Sequence, residues 1–247
     1  MKKIAVSLLL FVAMGCAAKN DNLYKSHYEM GLAYLSTDED YKAIREFEKA
    51  LEYKPKDPKT HYAIATFYLK RNQLEKAKTY LEKAIKIDPN NSDYHNAYAS
   101  TSASLGEIDT AIEHWKIVLD DPGYSNPEIV YYNMGYALYR ANKYQDALKY
   151  FKKSIERNER FMSSYMYLYR IYQAEGEHEK AADTLQSALK VNPVFLPIKL
   201  ELGKYYFDNG KFAQAAGEFE EIIEIDPESA EAEEAITYLK KMGIHYE

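Results

Sequence analysis

One cysteine, one tryptophan, 10 glycines and 8 prolines are present in 247 residues, and each shortage excludes something. A lone Cys16 cannot close an intramolecular disulfide. So little glycine and proline disfavours a turn-rich all-β chain. There is no basic excess either: 32 lysines and arginines stand against 38 acidic residues, a net charge of -6. A nucleic-acid ligand requires cations to displace condensed counterions, so it is not an expected partner. No glycine-rich phosphate loop, serine nucleophile elbow or HExxH pattern occurs, so the expectation is a non-enzyme with no cofactor, metal or small-molecule substrate. What is abundant is tyrosine, at 25 copies. A helical repeat with aromatics at fixed positions would produce that bias.

The first 15 residues read as a sorting signal. Lys2 and Lys3 precede an apolar run, Ile4 to Met14, that falls short of the ~20 residues needed to span a bilayer. The run ends Ala13-Met14-Gly15-Cys16. This resembles the bacterial lipoprotein signal, although Ala13 stands where that family usually has Leu or Val. The resemblance implies cleavage before Cys16 and acylation of Cys16, and Ala17 after it implies delivery to the outer membrane. Several acyl chains anchor stably where one does not, each buried CH₂ contributing about 0.8 kcal/mol. An ordinary secretory signal and an uncleaved membrane helix remain alternatives. Residues 16–23 then form a lipidated N-terminus and short linker, reaching about 20 Å if six of its residues are extended. Removing Lys2 and Lys3 leaves 30 basic residues against 38 acidic.

From Tyr24 onward the chain aligns with itself, with starts at 24, 58, 92, 128, 162 and 196. Every copy has alanine at its twentieth position: Ala43, Ala77, Ala111, Ala147, Ala181 and Ala215. The eighth position holds Gly31, Ala65, Ala99, Gly135, Tyr169 and Gly203, and the twenty-fourth an aromatic residue or leucine. Apolar residues at helical spacing make each copy a pair of helices. Small residues at positions 8 and 20 are expected to face each other, with position 24 filling space towards the next copy. Tyr169 breaks the pattern and predicts a local adjustment. Asp88-Pro89, Asn192-Pro193 and Asp226-Pro227 should end second helices, because the residue before proline is driven out of the α region. Residues 228–247 supply a capping helix and tail, with Asp226 as the expected cap and Pro227 as first helical residue.

These features resemble the tetratricopeptide repeat over about 200 residues. The resemblance implies an all-α, right-handed superhelical solenoid of six helix-turn-helix repeats spanning residues 24–227, plus the capping helix. It also implies that positions 2, 5, 9, 12 and 13 of the first helices line a protein-binding groove. Carried onto this chain, these are Lys25, Tyr28, Leu32 and Leu35; Tyr62, Leu69 and Lys70; Asn96, Ser100, Ala103 and Ser104; Ile129, Tyr132, Tyr136, Tyr139 and Arg140; and Leu200, Lys204 and Phe207. Tyr28, Tyr62, Tyr132, Tyr136, Tyr139, Arg140 and Phe207 are the candidate contacts, since tyrosine and arginine commonly anchor interfaces. The alternative for each tyrosine is packing against neighbouring helices alone.

Two other patterns have plainer readings. His27, His61 and His95 recur every 34 residues. They occupy a position that Tyr131 and Tyr165 fill in later copies, and helix spacings of about 8–10 Å hold them too far apart to share a metal. Glu218, Glu220, Glu221 and Glu224 are expected to form a solvated face.

A narrower likeness lies in Leu119-Asp120-Asp121-Pro122-Gly123-Tyr124-Ser125-Asn126-Pro127-Glu128, running into Tyr132-Asn133-Met134-Gly135, where the repeat spacing grows to 36. This stretch resembles the type IV pilus pilotins, outer-membrane lipoproteins with six repeats. The resemblance implies an anchored protein on the periplasmic face that binds secretin subunits and promotes their multimer assembly. The alternative is a lipoprotein scaffold for peptidoglycan enzymes or polysaccharide export.

Overall fold

The computed structural model describes the backbone of residues 2–245 and the side chains of residues 19–245. The side chains of the expected signal peptide and of Cys16 lie outside what is described, and with them the expected cleavage and acylation. Among the described residues there are 13 α-helices and no strand. They form two compact units, residues 1–124 and 125–247. The first contains α1 (Lys2–Ser36), α2 (Asp40–Tyr53), α3 (Pro58–Lys70), α4 (Leu74–Ile87), α5 (Ser92–Ser104) and α6 (Ile108–Asp120). The second contains α7 (Pro127–Arg140), α8 (Tyr144–Arg157), α9 (Met162–Ala174), α10 (His178–Val191), α11 (Leu196–Asp208), α12 (Phe212–Ile225) and α13 (Ala230–Lys241). Within each unit, odd and even helices pair in chain order, and α13 packs on α12 and α11. Among the described residues, no helix is long and apolar enough to cross a membrane.

The second helix of each pair inserts one face of small and large residues. In α2 this face is Ala43, Phe47 and Ala50, all fully buried; Ala147, Phe151 and Ser154 repeat it in α8, and Ala215, Phe219 and Ile222 in α12. What comes nearest to the eighth-position glycine is the aromatic ring of its own repeat. A Cβ on Gly31 would stand 2.5 Å from Phe47, on Gly135 2.9 Å from Phe151, and on Gly203 2.5 Å from Phe219. Position 24 therefore packs inward as well as onward. Where position 8 is alanine, position 24 is Leu81 or Trp115, both buried. Tyr169 fits by burying its ring beside Leu185 and directing its hydroxyl to Glu201 Oε2 of α11, 3.1 Å away.

The turns follow one rule that sequence reading passed over. Position 15 of all six repeats is left-handed: Asp38, Asn72, Gly106, Asn142, Gly176 and Gly210, with φ between +54° and +85°. Only glycine, and to a lesser degree Asn and Asp, adopts this conformation without a steric penalty. Nothing lies within 4 Å of a Cβ built on Gly176, so Gly176→Ala isolates the backbone effect. It is expected to cost about 1 kcal/mol in urea denaturation, and Gly176→Asn clearly less.

The proline-linked helix ends occur as expected. Asp88, Asn192 and Asp226 are the C-caps of α4, α10 and α12, at φ of -131°, -136° and -152°. The cap of α13 differs. Asp226 instead closes α12 and accepts from the Glu228 amide, while the Ser229 hydroxyl accepts from Ala232 N at 3.1 Å and starts α13 three residues later. Residues 19–23 are helical rather than extended, so they advance about 1.5 Å per residue. Asp21 and Lys25 pair along this helix at 2.8 Å.

Candidate functional site

Within the second unit, rings from α7, α8 and α9 form one cluster. Tyr132, Tyr136 and Tyr139 follow a single face of α7, four and three residues apart, so each stands one turn above the last. Tyr167 of α9 lies against all three, with ring centres 5.8, 5.4 and 5.1 Å away and planes near perpendicular. Beneath it, the fully buried Phe151 stacks on Tyr167 at 5.2 Å with only 10° between planes. Phe161 closes one end against Tyr132 at 5.3 Å, and Tyr144 the other against Tyr139 at 5.5 Å. Edge-to-face and offset contacts of this kind add about 0.5–1.5 kcal/mol each beyond area burial. The four central tyrosines are half-buried, with one side in the helix packing and the other open. Burial, reinforced by Tyr167, raises the Tyr132 phenol to about 12, so it stays a neutral donor at physiological pH.

Two guanidiniums edge this shelf. Arg140 Nη1 donates to the Tyr136 hydroxyl at 3.4 Å, and Arg170 lies over the Tyr167 ring, 5.2 Å from its centre. The other expected groove cations are neutralised: Lys25 by Asp21 at 2.8 Å, Lys70 by Asp38 at 2.6 Å and Asp40 at 3.1 Å, and Lys204 by Glu234 at 2.7 Å and Glu201 at 3.2 Å.

The remaining expected contacts lie apart from the shelf. Tyr28 is half-buried between Tyr24 and Phe47, 5.9 and 5.8 Å away, and Tyr62 packs on Tyr94 at 5.0 Å. Phe207 joins Phe212 and Tyr238 at the C-terminal end, lining a cavity of about 430 Å³ with Ala216 and Met242. Leu200 is not a groove residue but part of the core, because its place on α11 turns it into the packing.

Tyr167 and Arg170 went unrecognised in the sequence. Arg170 sits at position 9 of repeat five, one of the groove positions, and extending the pattern to that repeat identifies it. Tyr167 sits at position 6, where repeats two and three carry Ala63 and Ala97. The other repeats carry Glu29, Asn133 and Glu201 there, so an aromatic residue at this position only in repeat five was the available signal.

The three histidines share a position but not a role. Position 4 faces position 23 of the same repeat, and the chemistry of the pair changes along the chain. His27 Nδ1 donates to Glu46 Oε2 at 2.6 Å. His61 lies against Tyr80, ring centres 6.0 Å apart, and donates from Nε2 to the Pro55 carbonyl at 3.0 Å. His95 donates from Nε2 to the Pro89 carbonyl at 3.0 Å, so its Nδ1 accepts from His114 Nδ1 at 2.9 Å. In repeat six the pair is ionic: Lys199, 6% exposed, donates to Glu218 at 3.1 Å and also to Glu221. Those two glutamates are therefore not a purely solvated face. They hold a buried ammonium that periodicity gave no reason to place inside.

The inter-unit link is anchored at its start. Asp121 accepts from Ser92 Oγ at 2.5 Å and from Gly123 N at 2.9 Å, which together hold its carboxyl below the usual range. The Tyr124 hydroxyl accepts from Asn96 Nδ2 at 3.3 Å.

Models described as tetratricopeptide repeat match residues 24–57, 42–100, 129–161 and 172–239. The chain is 26% identical over 148 residues to DnaJ homolog subfamily C member 3 of Gallus gallus, and spans 29% of that protein's length. Among solved structures it is similar to PilW, a type IV pilus biogenesis factor, at TM-score 0.63 and 20% identity, covering 86% of this chain and 98% of that one. It is similar to Pseudomonas aeruginosa PilF at TM-score 0.63 and 21% identity, covering 87% and 97%. A repeat protein of Parabacteroides merdae gives TM-score 0.64 at 17% identity, covering 91% and 94%. At such identities the likeness is one of fold.

Proposed function

Because this chain belongs to the tetratricopeptide repeat family, whose helix pairs serve as protein-binding scaffolds, we propose that it is a pilotin of type IV pilus biogenesis. In this reading it is a non-catalytic lipoprotein, anchored through Cys16 at the periplasmic face of the outer membrane. There it binds secretin subunits and promotes their localisation and multimer assembly. The observation that carries the proposal is the half-open tyrosine shelf of repeats four and five, which begins directly after the link resembling that of the pilotins. Likeness of fold to PilW and PilF along nearly their whole lengths supports it. So does the signal ending Gly15-Cys16. Rings at 5–6 Å spacing offer large apolar contact with few torsions to freeze, which suits an extended strand or one face of a helix.

The test is a deletion strain complemented with a Tyr136→Ala/Tyr139→Ala variant. Secretin multimers in the outer-membrane fraction should fall at least about tenfold, the loss of two anchor residues of roughly 1 kcal/mol or more each. Wild-type multimer levels with normal amounts of the variant would reject the shelf as the secretin surface. Recovery of peptidoglycan hydrolases or glycan-export proteins instead of secretin from solubilised membranes would favour the scaffold alternative.

A further inference from the structure

The shelf is edged by positive charge that the chain itself leaves uncompensated. No carboxylate stands within ion-pair distance of Arg140 or Arg170 among the described residues. Arg71 of the first unit likewise lies on a tyrosine, Tyr41 at 4.6 Å, without a carboxylate partner among the described residues, so what sets Arg140 and Arg170 apart is that they flank one row of tyrosines. Lys70, Lys78, Lys199 and Lys204 each take at least one carboxylate. The two arginines instead lie on tyrosine faces, with guanidinium-to-ring distances of 6.0 and 5.2 Å. Apart from the Arg140 Nη1 bond to the Tyr136 hydroxyl, a guanidinium lying on a ring keeps its remaining N–H edge free, and that edge matches a carboxylate through two parallel hydrogen bonds. The rings beneath them, Tyr136 and Tyr167, are 5.4 Å apart, so both forks serve one stretch of ligand.

We infer that the shelf selects an acidic segment: a stretch of partner chain in which apolar side chains lie across Tyr132, Tyr139 and Tyr167 while Asp or Glu carboxylates reach Arg140 and Arg170. This rests on the reading of the shelf as the partner-binding surface, and adds the chemistry of what it accepts. Ring stacking pre-orders the arginines, so less side-chain freedom is lost on binding than for a flexible lysine.

The experiment uses the full-length protein in mild detergent and a fluorescein-labelled peptide of alternating leucine and glutamate. Its counterpart has glutamine for every glutamate. Anisotropy should show the glutamate peptide binding at least tenfold more tightly. Arg140→Gln/Arg170→Gln should abolish that preference, and added salt should weaken only the glutamate peptide. Equal binding of the two peptides, no binding of either, or an unchanged preference in the double variant would overturn the inference. So would competition by phosphatidylglycerol vesicles that depends on the two arginines, since the shelf would then face lipid. Secretin multimers separate this from the parent reading. If Tyr136→Ala/Tyr139→Ala abolishes them and Arg140→Gln/Arg170→Gln leaves them intact, the shelf stands and its preference for acid falls.

Discussion

Phe151→Ala should lower stability by about 3–5 kcal/mol and remove partner binding with it. The ring is fully buried, fills the space opposite Gly135, and forms the floor on which Tyr167 stacks. Its loss leaves a cavity that helices bearing bulky neighbours cannot close, and it frees Tyr167 from the orientation that holds the three α7 tyrosines. Phe219→Ala provides the control. That ring is equally buried and faces Gly203 in the same way, but supports Tyr238 rather than the shelf. Both variants should lose similar stability by urea denaturation, and only Phe151→Ala should lose binding at temperatures where both remain folded. Equal binding losses would mean the shelf has no local role. Gly135→Ala/Phe151→Leu, which copies the Ala65 and Leu81 pair of repeat two, should be more stable than Gly135→Ala alone. The new methyl then meets a shorter side chain instead of a ring 2.9 Å away.

Acid should destabilise the protein well above the range in which carboxylates titrate. Burial lowers the values of His61 and His114 from the ordinary 6.5, aided by Lys83 at His61 and by His95 at His114. Protonating His61 would also give Nδ1 a hydrogen with nothing to receive it, since that buried atom has no hydrogen-bond partner. Both groups are therefore neutral in the fold at a pH where the unfolded chain already binds their protons. Their stabilisation is complete above about 6.5 and is lost as pH falls from there through the folded values. One proton of difference changes stability by about 1.4 kcal/mol per pH unit at most, so each group should add a slope below that limit as pH falls from about 6.5. Glu46 and Asp121, held low by Lys49 and by Ser92 respectively, add their losses only in stronger acid. Urea midpoints across that fall in pH check the slope. His61→Tyr with His95→Tyr/His114→Tyr, which copies the Tyr131 and Tyr150 pair of repeat four, should flatten it. A flat wild-type profile would show that these rings titrate alike in both states.

Much of this was legible because helix periodicity and proline placement are local signals. Ala43 and its five counterparts identified the buried face of every second helix, and Asp88, Asn192 and Asp226 marked helix ends from the following proline alone. What escaped depended on which side chain meets which across a helix pair. That the ring of Phe47 is what comes nearest to Gly31 was not legible, because a small residue says that something comes close without saying what. Nothing local marks Lys199 as buried, because its two glutamates lie 19 and 22 residues away on the facing helix. Tyr167 needed the same information: its position is small in repeats two and three, and only the packing of α9 on α7 shows that a ring there completes a site.

The match between positions 4 and 23, like that between positions 8 and 24, is settled inside single repeats, differently in each. A crossover joining the first helix of repeat six to the second helix of repeat three would set Lys199 against His114 and Gly203 against Trp115, leaving a buried ammonium without its carboxylates and a void beside an indole. Duplications, losses and exchanges that keep each helix pair whole avoid both faults. The inheritable module of this chain is thus the intact pair, and recombination breakpoints that survive selection should fall in the linkers between pairs, not at the left-handed turns within them.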